Sequence, residues 1–311
     1  MKIAWLFPGQ GSQQVGMGRD VAERYASARA VFEEADRALE KPLSKLCFEG
    51  PEDELTLTVN TQPALVTTGS ALVAALREAH PSLPAPSLAL GHSLGEYSAL
   101  VAAGGLSLGD AVRICRARGA AMQEAVPAGE GAMAAILNVD ERALRSICDE
   151  ASSEGVVSPA NFNAPGQIVI AGAKAAVARA CELVTARGGK SIPLKVSAPF
   201  HCALMKPAAD KLEVALRDVS VGSLSFPVVA NVDAEPNEDA GRVKGLLVKQ
   251  VDAPVQWARS IERAAALGVT HAFEIGPGKV LAGLVKRIDK RIRVVNISDA
   301  ASVASAAEAL A

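Results

Sequence analysis

The sequence is poor in aromatic residues: 7 phenylalanines, 2 tryptophans and 2 tyrosines make up 4% of 311 positions. That is too few for the stacked platform of a single-strand nucleic-acid binder. Neither sign of charge dominates. The 32 lysines and arginines face 34 aspartates and glutamates, for a net charge of −2, so nothing draws the whole molecule to nucleic acid or an anionic membrane. There are only 4 histidines, and the 5 cysteines (Cys47, Cys115, Cys148, Cys181, Cys202) are scattered singly. Without a Cys-x-x-Cys pair no zinc site is expected, and the thiols read as reduced, buried small hydrophobes. No apolar run reaches the roughly 18 residues needed to cross a bilayer. The N-terminal Met1-Lys-Ile-Ala-Trp-Leu-Phe7 lacks the apolar length and cleavage site of a signal peptide. A soluble cytoplasmic chain with no metal, nucleic-acid or membrane partner is therefore expected.

What is present suffices for a large core, with 50% of positions hydrophobic and 21% charged. One large domain, or one large and one small, is the expectation at this length. Residues 3–7 read as a buried strand, followed by a turn, Pro8-Gly-Gln-Gly-Ser-Gln13. Its glycines fit neither nucleotide fingerprint: position 14 is Gln14 where a third glycine is needed, and Gly16 is followed by Met17 where lysine is needed. Apolar spacing predicts helices over about 20–37, over 64–79 with Pro63 in the first turn, and over 108–126 capped by Ser107. Residues 42–55 read as irregular. From 127 to 196 the pattern changes to strand–helix–strand–strand–helix–strand, the split βαβ arrangement. This predicts a small ferredoxin-like domain, 127–196, inserted in an α/β-hydrolase-like large domain with a parallel sheet, formed by 1–126 and 197–311. In the second half of the large domain, helices are predicted over 207–219, 242–250, 257–266 and 280–288. Strands are predicted there over 228–231, 271–275 and 294–297, ahead of an Ala/Ser-rich tail.

Within the first part lies Leu88-Ala-Leu-Gly-His-Ser-Leu-Gly-Glu-Tyr-Ser-Ala-Leu100. An apolar run enters Gly91-His-Ser-Leu-Gly95 and a helix-like run leaves it. Gly-x-Ser-x-Gly between a strand and a helix is the nucleophile elbow, which lifts a serine oxygen above the sheet edge. The same pentapeptide also arises by chance in loops, so the flanking strand and helix are what make Ser93 a candidate nucleophile. The glycines are expected to supply unusual dihedrals and a close strand–helix approach. The helix beginning just after Ser93 aims free N–H groups at the place where an oxyanion forms.

A serine hydroxyl is a weak nucleophile until a base takes its proton. His80 precedes Pro81 in an exposed loop, His92 sits in the elbow pointing away from Ser93, and His271 opens a buried strand. His201, in Ser197-Ala-Pro-Phe-His-Cys-Ala203, lies where the small domain rejoins the large one, and clefts between domains favour sites. A hydrolase triad would add an acid between serine and histidine. Asp110, Asp140 and Asp149 fall on helix surfaces or in the inserted domain, none at a strand end, so a dyad stays open.

Taken in order, several segments resemble the malonyl-CoA:acyl carrier protein transacylase family over essentially the whole chain. They are Phe7-Pro-Gly-Gln-Gly-Ser-Gln13, Thr61-Gln-Pro-Ala-Leu65, Gly91-His-Ser-Leu-Gly-Glu-Tyr97, Arg118-Gly119, Met122-Gln123 and Gly131-Ala-Met-Ala-Ala135. Further along come Pro199-Phe-His201, Gln250, Pro254-Val-Gln-Trp257 and Glu274-Ile-Gly-Pro-Gly278. The resemblance implies that Ser93 takes a malonyl group from malonyl-CoA and passes it, in ping-pong fashion, to the phosphopantetheine thiol of acyl carrier protein. It makes His201 the general base and acid, oriented by the backbone carbonyl of Gln250, and it builds the oxyanion hole from the N–H groups of Gln10 and Leu94. Arg118 is implied to hold the malonyl carboxylate through two parallel bonds, a fork that lysine does not reproduce.

By the same resemblance Met122, Gln62 and Asn161 line the acyl pocket, and Phe200 crowds out an extra methyl, worth about 1–3 kcal/mol of discrimination. No resident cofactor is implied; the CoA thioester and phosphopantetheine arrive as substrates, and a monomer is expected. Lys190, Lys195, Lys286, Arg287, Lys290 and Arg291 are either a basic rim for an acidic carrier or ordinary solvated element ends. Two relatives in function stay open, a free-standing acyltransferase serving polyketide carrier domains and an acyl-carrier editing hydrolase. A plain serine esterase has no use for an arginine in its acyl pocket.

Overall fold

A computed structural model describes residues 1–196 and 198–308. The expected return point, Ser197, and the end of the Ala/Ser-rich tail lie outside the described residues. The described part of that tail forms a helix, Ala300–Ala304, capped by Asp299.

Among the described residues ten strands form two sheets. In chain order they are β1 (Ile3–Phe7), β2 (Leu88–Gly91), β3 (Gly131–Leu137), β4 (Val157–Ala164), β5 (Gln167–Ala173), β6 (Lys190–Pro193), β7 (Val228–Val229), β8 (Pro236–Asn237), β9 (His271–Ile275) and β10 (Arg293–Ile297). The first sheet has the order β10-β9-β1-β2-β7-β8 and is parallel except for β8. Its central strands β1, β2 and β7 read as unbroken apolar runs because both faces are covered. Ile3, Trp5 and Phe7 enter the core beneath the larger set of helices, while Ala4 and Leu6 enter a second core. That second core lies against the helices Trp257–Ala266 and Val280–Ile288.

The second sheet is antiparallel, in the order β4-β5-β3-β6. Here the side chains alternate as a strand's two-residue period requires. Ala134, Ile136, Ile168 and Ile170 pack under the helices Glu141–Ala151 and Lys174–Ala186. Met133, Val169 and Ala171 face the other way and join the main core. Backbone bonds from Val255 N–H to the Ala160 carbonyl and from Phe162 N–H to the Val255 carbonyl, both 2.9 Å, fasten the β4 edge to the body.

The sequence reading needs four corrections. The stretch expected to be one helix over 20–37 is two, Arg19–Arg24 and Ala26–Leu39, parted where Tyr25 takes an extended backbone. Residues 42–55 are not irregular but hold the short helices Leu43–Glu49 and Glu52–Thr56. The helix expected to open at Pro63 begins at Thr58 with no side-chain cap, so its start carries no sequence mark and the proline lies inside. Finally, the strand over 228–231 is only two residues long, and the two-residue β8 beside it was not foreseen. Among the described residues no helix is long and apolar enough to cross a membrane.

Candidate active site

Parallel pairing brings the site together. Phe7 stands level with Gly91, and Leu90 with Val229, so β1, β2 and β7 run out side by side at their carboxyl ends, where open α/β sheets place their ligands. A few residues further on, the three chains deliver Gln10, Ser93 and Asn231. Ser93 has a left-handed φ of 52°, a conformation that costs on the order of 1–3 kcal/mol and persists only when its surroundings enforce it. Here the expectation about the glycines is half corrected. The unusual dihedral belongs to the serine; Gly91 and Gly95 are needed for space alone. A Cβ on Gly91 would lie 1.9 Å from the Gly95 carbonyl carbon, and one on Gly95 would lie 2.2 Å from the Phe7 oxygen.

The enforcement is polar. Asn231 Oδ1 accepts the Ser93 N–H at 2.7 Å, and Gln250 Nε2 donates to the Ser93 carbonyl at 3.0 Å. Asn231 Nδ2 also donates to the Gly91 carbonyl at 2.6 Å. The strained peptide is thus gripped from both sides.

Ser93 Oγ lies 2.7 Å from His201 Nε2, and His201 Nδ1 lies 2.9 Å from the Gln250 backbone oxygen. A carbonyl only accepts, so Nδ1 carries the proton and Nε2 is left as the acceptor for the serine hydroxyl. Burial, then the neighbouring Arg118 charge, push His201 down to about 3, which keeps the imidazole neutral at neutral pH with Nε2 unprotonated. His201 also has a left-handed φ, 61°.

Arg118 is 1% exposed. Its Nη1 donates to Gln62 Oε1 at 2.8 Å, and its Nη2 donates to Gln250 Oε1 at 2.8 Å and to Ser93 Oγ at 3.1 Å. All three acceptors are uncharged, and among the described residues no carboxylate forms an ion pair with Arg118. Its neighbours behave as surface arginines: Arg113 pairs with Asp110 at 2.7 Å and Arg116 donates to Asn60. The next residue explains how Arg118 comes so deep. A Cβ on Gly119 would lie 2.7 Å from the Thr58 oxygen, so glycine lets the helix Leu108–Glu124 press against the first turn of the helix that carries Gln62.

These groups open into one cavity of about 130 Å³. Of the residues singled out from sequence, Gln10, Gln62, Ser93, Leu94, Arg118, Met122, Asn161, Phe200 and His201 line it, while Gln250 stands behind them. Among the described residues the Gln10 and Leu94 N–H groups have no acceptor. His92 also lines it, and Met133, Leu194 and Val196, on or just after strands of the second sheet, complete the lining and were not foreseen. Asn231 and Glu96 were missed as well. Glu96 is 3% exposed, and its Oε2 accepts the Asn231 N–H at 2.9 Å and Gln250 Nε2 at 2.8 Å. The acids that were weighed lie elsewhere: Asp110 pairs with Ser107 and Arg113 in the first turn of its helix, Asp140 caps a helix and Asp149 is exposed.

The other histidines are held by structure. His92 Nε2 is 2.8 Å from Asn163 Oδ1, and His80, half-buried rather than exposed, is 2.7 Å from the Val303 oxygen. His271 is half-buried, not buried. Burial pushes the Cys47, Cys115 and Cys148 thiols up to about 12. Among the described residues no three His, Cys, Asp or Glu side chains converge as a metal-binding group. Of the six basic residues named for a rim, Arg287 bonds to Gln167 and the Pro165 carbonyl and Arg291 pairs with Asp289.

A serine held on a strained turn within hydrogen-bond distance of a histidine and a buried arginine suits group transfer, and residues 4–307 match the family described as acyl transferase domain. The protein is an acyltransferase. The chain is 50% identical to the malonyl CoA-acyl carrier protein transacylase of Bacillus subtilis, over 99% of this chain and 97% of that one. It is 48% identical to the protein of that name from Escherichia coli K12, over 99% of each. A solved acyl-carrier-protein-S-malonyltransferase from Bartonella henselae superposes with a TM-score of 0.96 at 46% identity, over 100% of this chain and 99% of that one. A malonyl-transacylase solved in complex with its type II polyketide acyl-carrier protein gives a TM-score of 0.95 at 45% identity, over 99% of each chain. The chain belongs to the malonyl CoA-acyl carrier protein transacylase family.

Proposed function

We propose that this protein moves a malonyl group from malonyl-CoA to the phosphopantetheine thiol of an acyl carrier protein through an ester on Ser93, supplying extender units for fatty-acid synthesis. The observation that carries the reading is Arg118, a buried cation within hydrogen-bond distance of the nucleophile and without a carboxylate of its own. In the first half-reaction Ser93 Oγ attacks the thioester carbonyl as its proton passes to His201 Nε2. The oxyanion forms facing the N–H groups of Gln10 and Leu94. As the C–S bond breaks, the departing sulfur takes the proton from His201, and free CoA leaves. In the second half the carrier thiol gives its proton to His201 and attacks the ester. Ser93 departs and recovers that proton.

Arg118 releases the serine oxygen and takes the malonyl carboxylate as the ester forms, with Gln62 and Gln250 keeping the guanidinium plane fixed. Met122, Asn161 and Phe200 shape the acyl chamber. The second sheet, with its two helices, serves as a ferredoxin-like domain of residues 127–196 roofing an α/β-hydrolase-like body of 1–126 and 197–311. Its apolar lining, Met133 and Leu194 above all, keeps water from the ester. No resident cofactor takes part. The protein works as a monomer in the cytoplasm.

Intact mass spectrometry after mixing with malonyl-CoA tests the scheme. The expected result is a malonyl adduct on Ser93 that disappears when holo-carrier protein is added, and no adduct in Ser93→Ala. An adduct lost equally fast in buffer alone would favour an editing hydrolase. Discharge by polyketide carriers in preference to fatty-acid carriers would move the enzyme to polyketide assembly.

A further inference from the structure

We propose that Glu96 is the positioning residue of this site, the acid that the serine–histidine pair lacks, acting through two amides instead of on the imidazole. The inference rests on the reading of Ser93 as the acylated nucleophile.

The connectivity carries it. One oxygen, Glu96 Oε2, accepts the Asn231 backbone N–H and Gln250 Nε2. Fixing the Asn231 backbone places its side chain, whose Oδ1 holds the Ser93 N–H and whose Nδ2 holds the Gly91 carbonyl. Fixing the Gln250 amide places three more contacts. Its Nε2 also reaches the Ser93 carbonyl, its Oε1 receives Arg118 Nη2, and the same residue's backbone oxygen holds His201 Nδ1. A single buried side chain therefore sits one bond behind both partners of the strained serine peptide. Through Gln250 it also stands behind the guanidinium and the base. Buried networks of this kind are stiff when every member is satisfied and costly when one is removed.

The arrangement also bears on which end of the Gln250 amide points where. An amide oxygen and nitrogen are nearly isosteric, so Gln250 needs an acceptor on one side to present its oxygen to Arg118. Glu96 Oε2 provides it. Burial raises the Glu96 carboxyl to about 7, so both protonation states are populated near neutrality. Because both donors converge on Oε2, a proton on the other oxygen leaves the two bonds in place. The requirement is for an acceptor at this point, and the charge itself is secondary.

The test follows Ser93 malonylation by rapid-quench intact mass at saturating malonyl-CoA, recording rate and amplitude separately, with thermal unfolding alongside. Glu96→Leu removes the acceptor at similar volume and is expected to slow acylation by about ten-fold or more with full amplitude. Glu96→Gln retains an acceptor oxygen and should return the rate to within a few-fold of wild type. Adding Gln250→Ala to Glu96→Leu should cost less than the product of the two single effects, since both cut one network.

A wild-type rate in Glu96→Leu would overturn the proposal. So would a reduced amplitude at unchanged rate, which marks misfolded molecules only, or strictly multiplicative single effects. Equal failure of the Leu and Gln variants would overturn the acceptor role. Should Glu96→Leu not fold, Gln250→Ala, which keeps the backbone carbonyl on His201, decides alone: a wild-type rate there is equally fatal. An unmodified Ser93 in the wild-type protein would instead sink the reading on which the inference rests.

Discussion

The floor and the roof of the cavity are built on different principles. The floor comes from the carboxyl ends of β1, β2 and β7 and from the helices behind them, and its polar atoms are tied: Ser93, His201, Arg118, Gln250 and Asn231 share a continuous set of bonds of 2.6–3.1 Å. The roof, from the second sheet and the segment after it, is Met133, Leu194, Val196 and Phe200, with Asn161 as its polar member. Directional bonds fix positions to a few tenths of an ångström, whereas apolar contact fills volume and excludes water. The difference assigns the tasks. In the proposed scheme, reactivity and recognition of the acyl carboxylate are set below, and room for an extra methyl and protection from water are set above.

Changing the floor should therefore cost far more than changing the roof. The largest effect is expected for His201→Gln, with malonylation of Ser93 slowed on the order of 10³-fold in single-turnover mass measurements. The same substitution carries a stability signature. The folded His201 value, about 3, lies below the ordinary 6.5, so the neutral ring contributes stability that is whole above pH 6.5 and is lost as pH falls toward 3. Melting temperature followed over that window should fall less steeply in the variant; an unchanged slope would show that His201 is not buried neutral.

Next comes Arg118→Ala, expected to lower malonyl transfer by about 10²-fold and acetyl transfer much less, because only malonyl loses an ionic partner. Equal losses would mean that the guanidinium serves the serine and not the substrate. The smallest effect belongs to the roof. Phe200→Ser should narrow the preference for malonyl over methylmalonyl by about ten-fold while leaving the malonyl rate nearly intact. A collapse of the malonyl rate would erase the distinction between the two surfaces.

Much of this is legible in the sequence. The apolar run of β1 reads as a buried strand, and the order strand–helix–strand–strand–helix–strand after residue 127 marks the second sheet. Ser93 was readable because its strand–turn–helix setting is local. Arg118 was readable only through resemblance, since the spacing of Arg113, Arg116 and Arg118 does not say which one turns inward; the Gly119 contact with Thr58 decides that. The groups that escaped have no local mark. Asn231 is an unremarked amide after a two-residue strand, and Glu96 looks like a first-turn helix acid that favours the dipole. The usual third member of a triad is an acid that touches histidine; among the described residues His201 Nδ1 meets a backbone carbonyl instead, and the acid present works at one remove.

The uncharged hydrogen-bond partners of Arg118 have a consequence for how the site meets its substrates. In the proposed scheme the protein holds half an ion pair away from water between turnovers, and the other half arrives on the acyl group. A pair that closes in a buried place is little screened by salt. Selection by this arginine should therefore persist at ionic strengths that dissolve contacts on the rim. Small free carboxylates, malonate foremost, should compete for the same seat with no CoA attached.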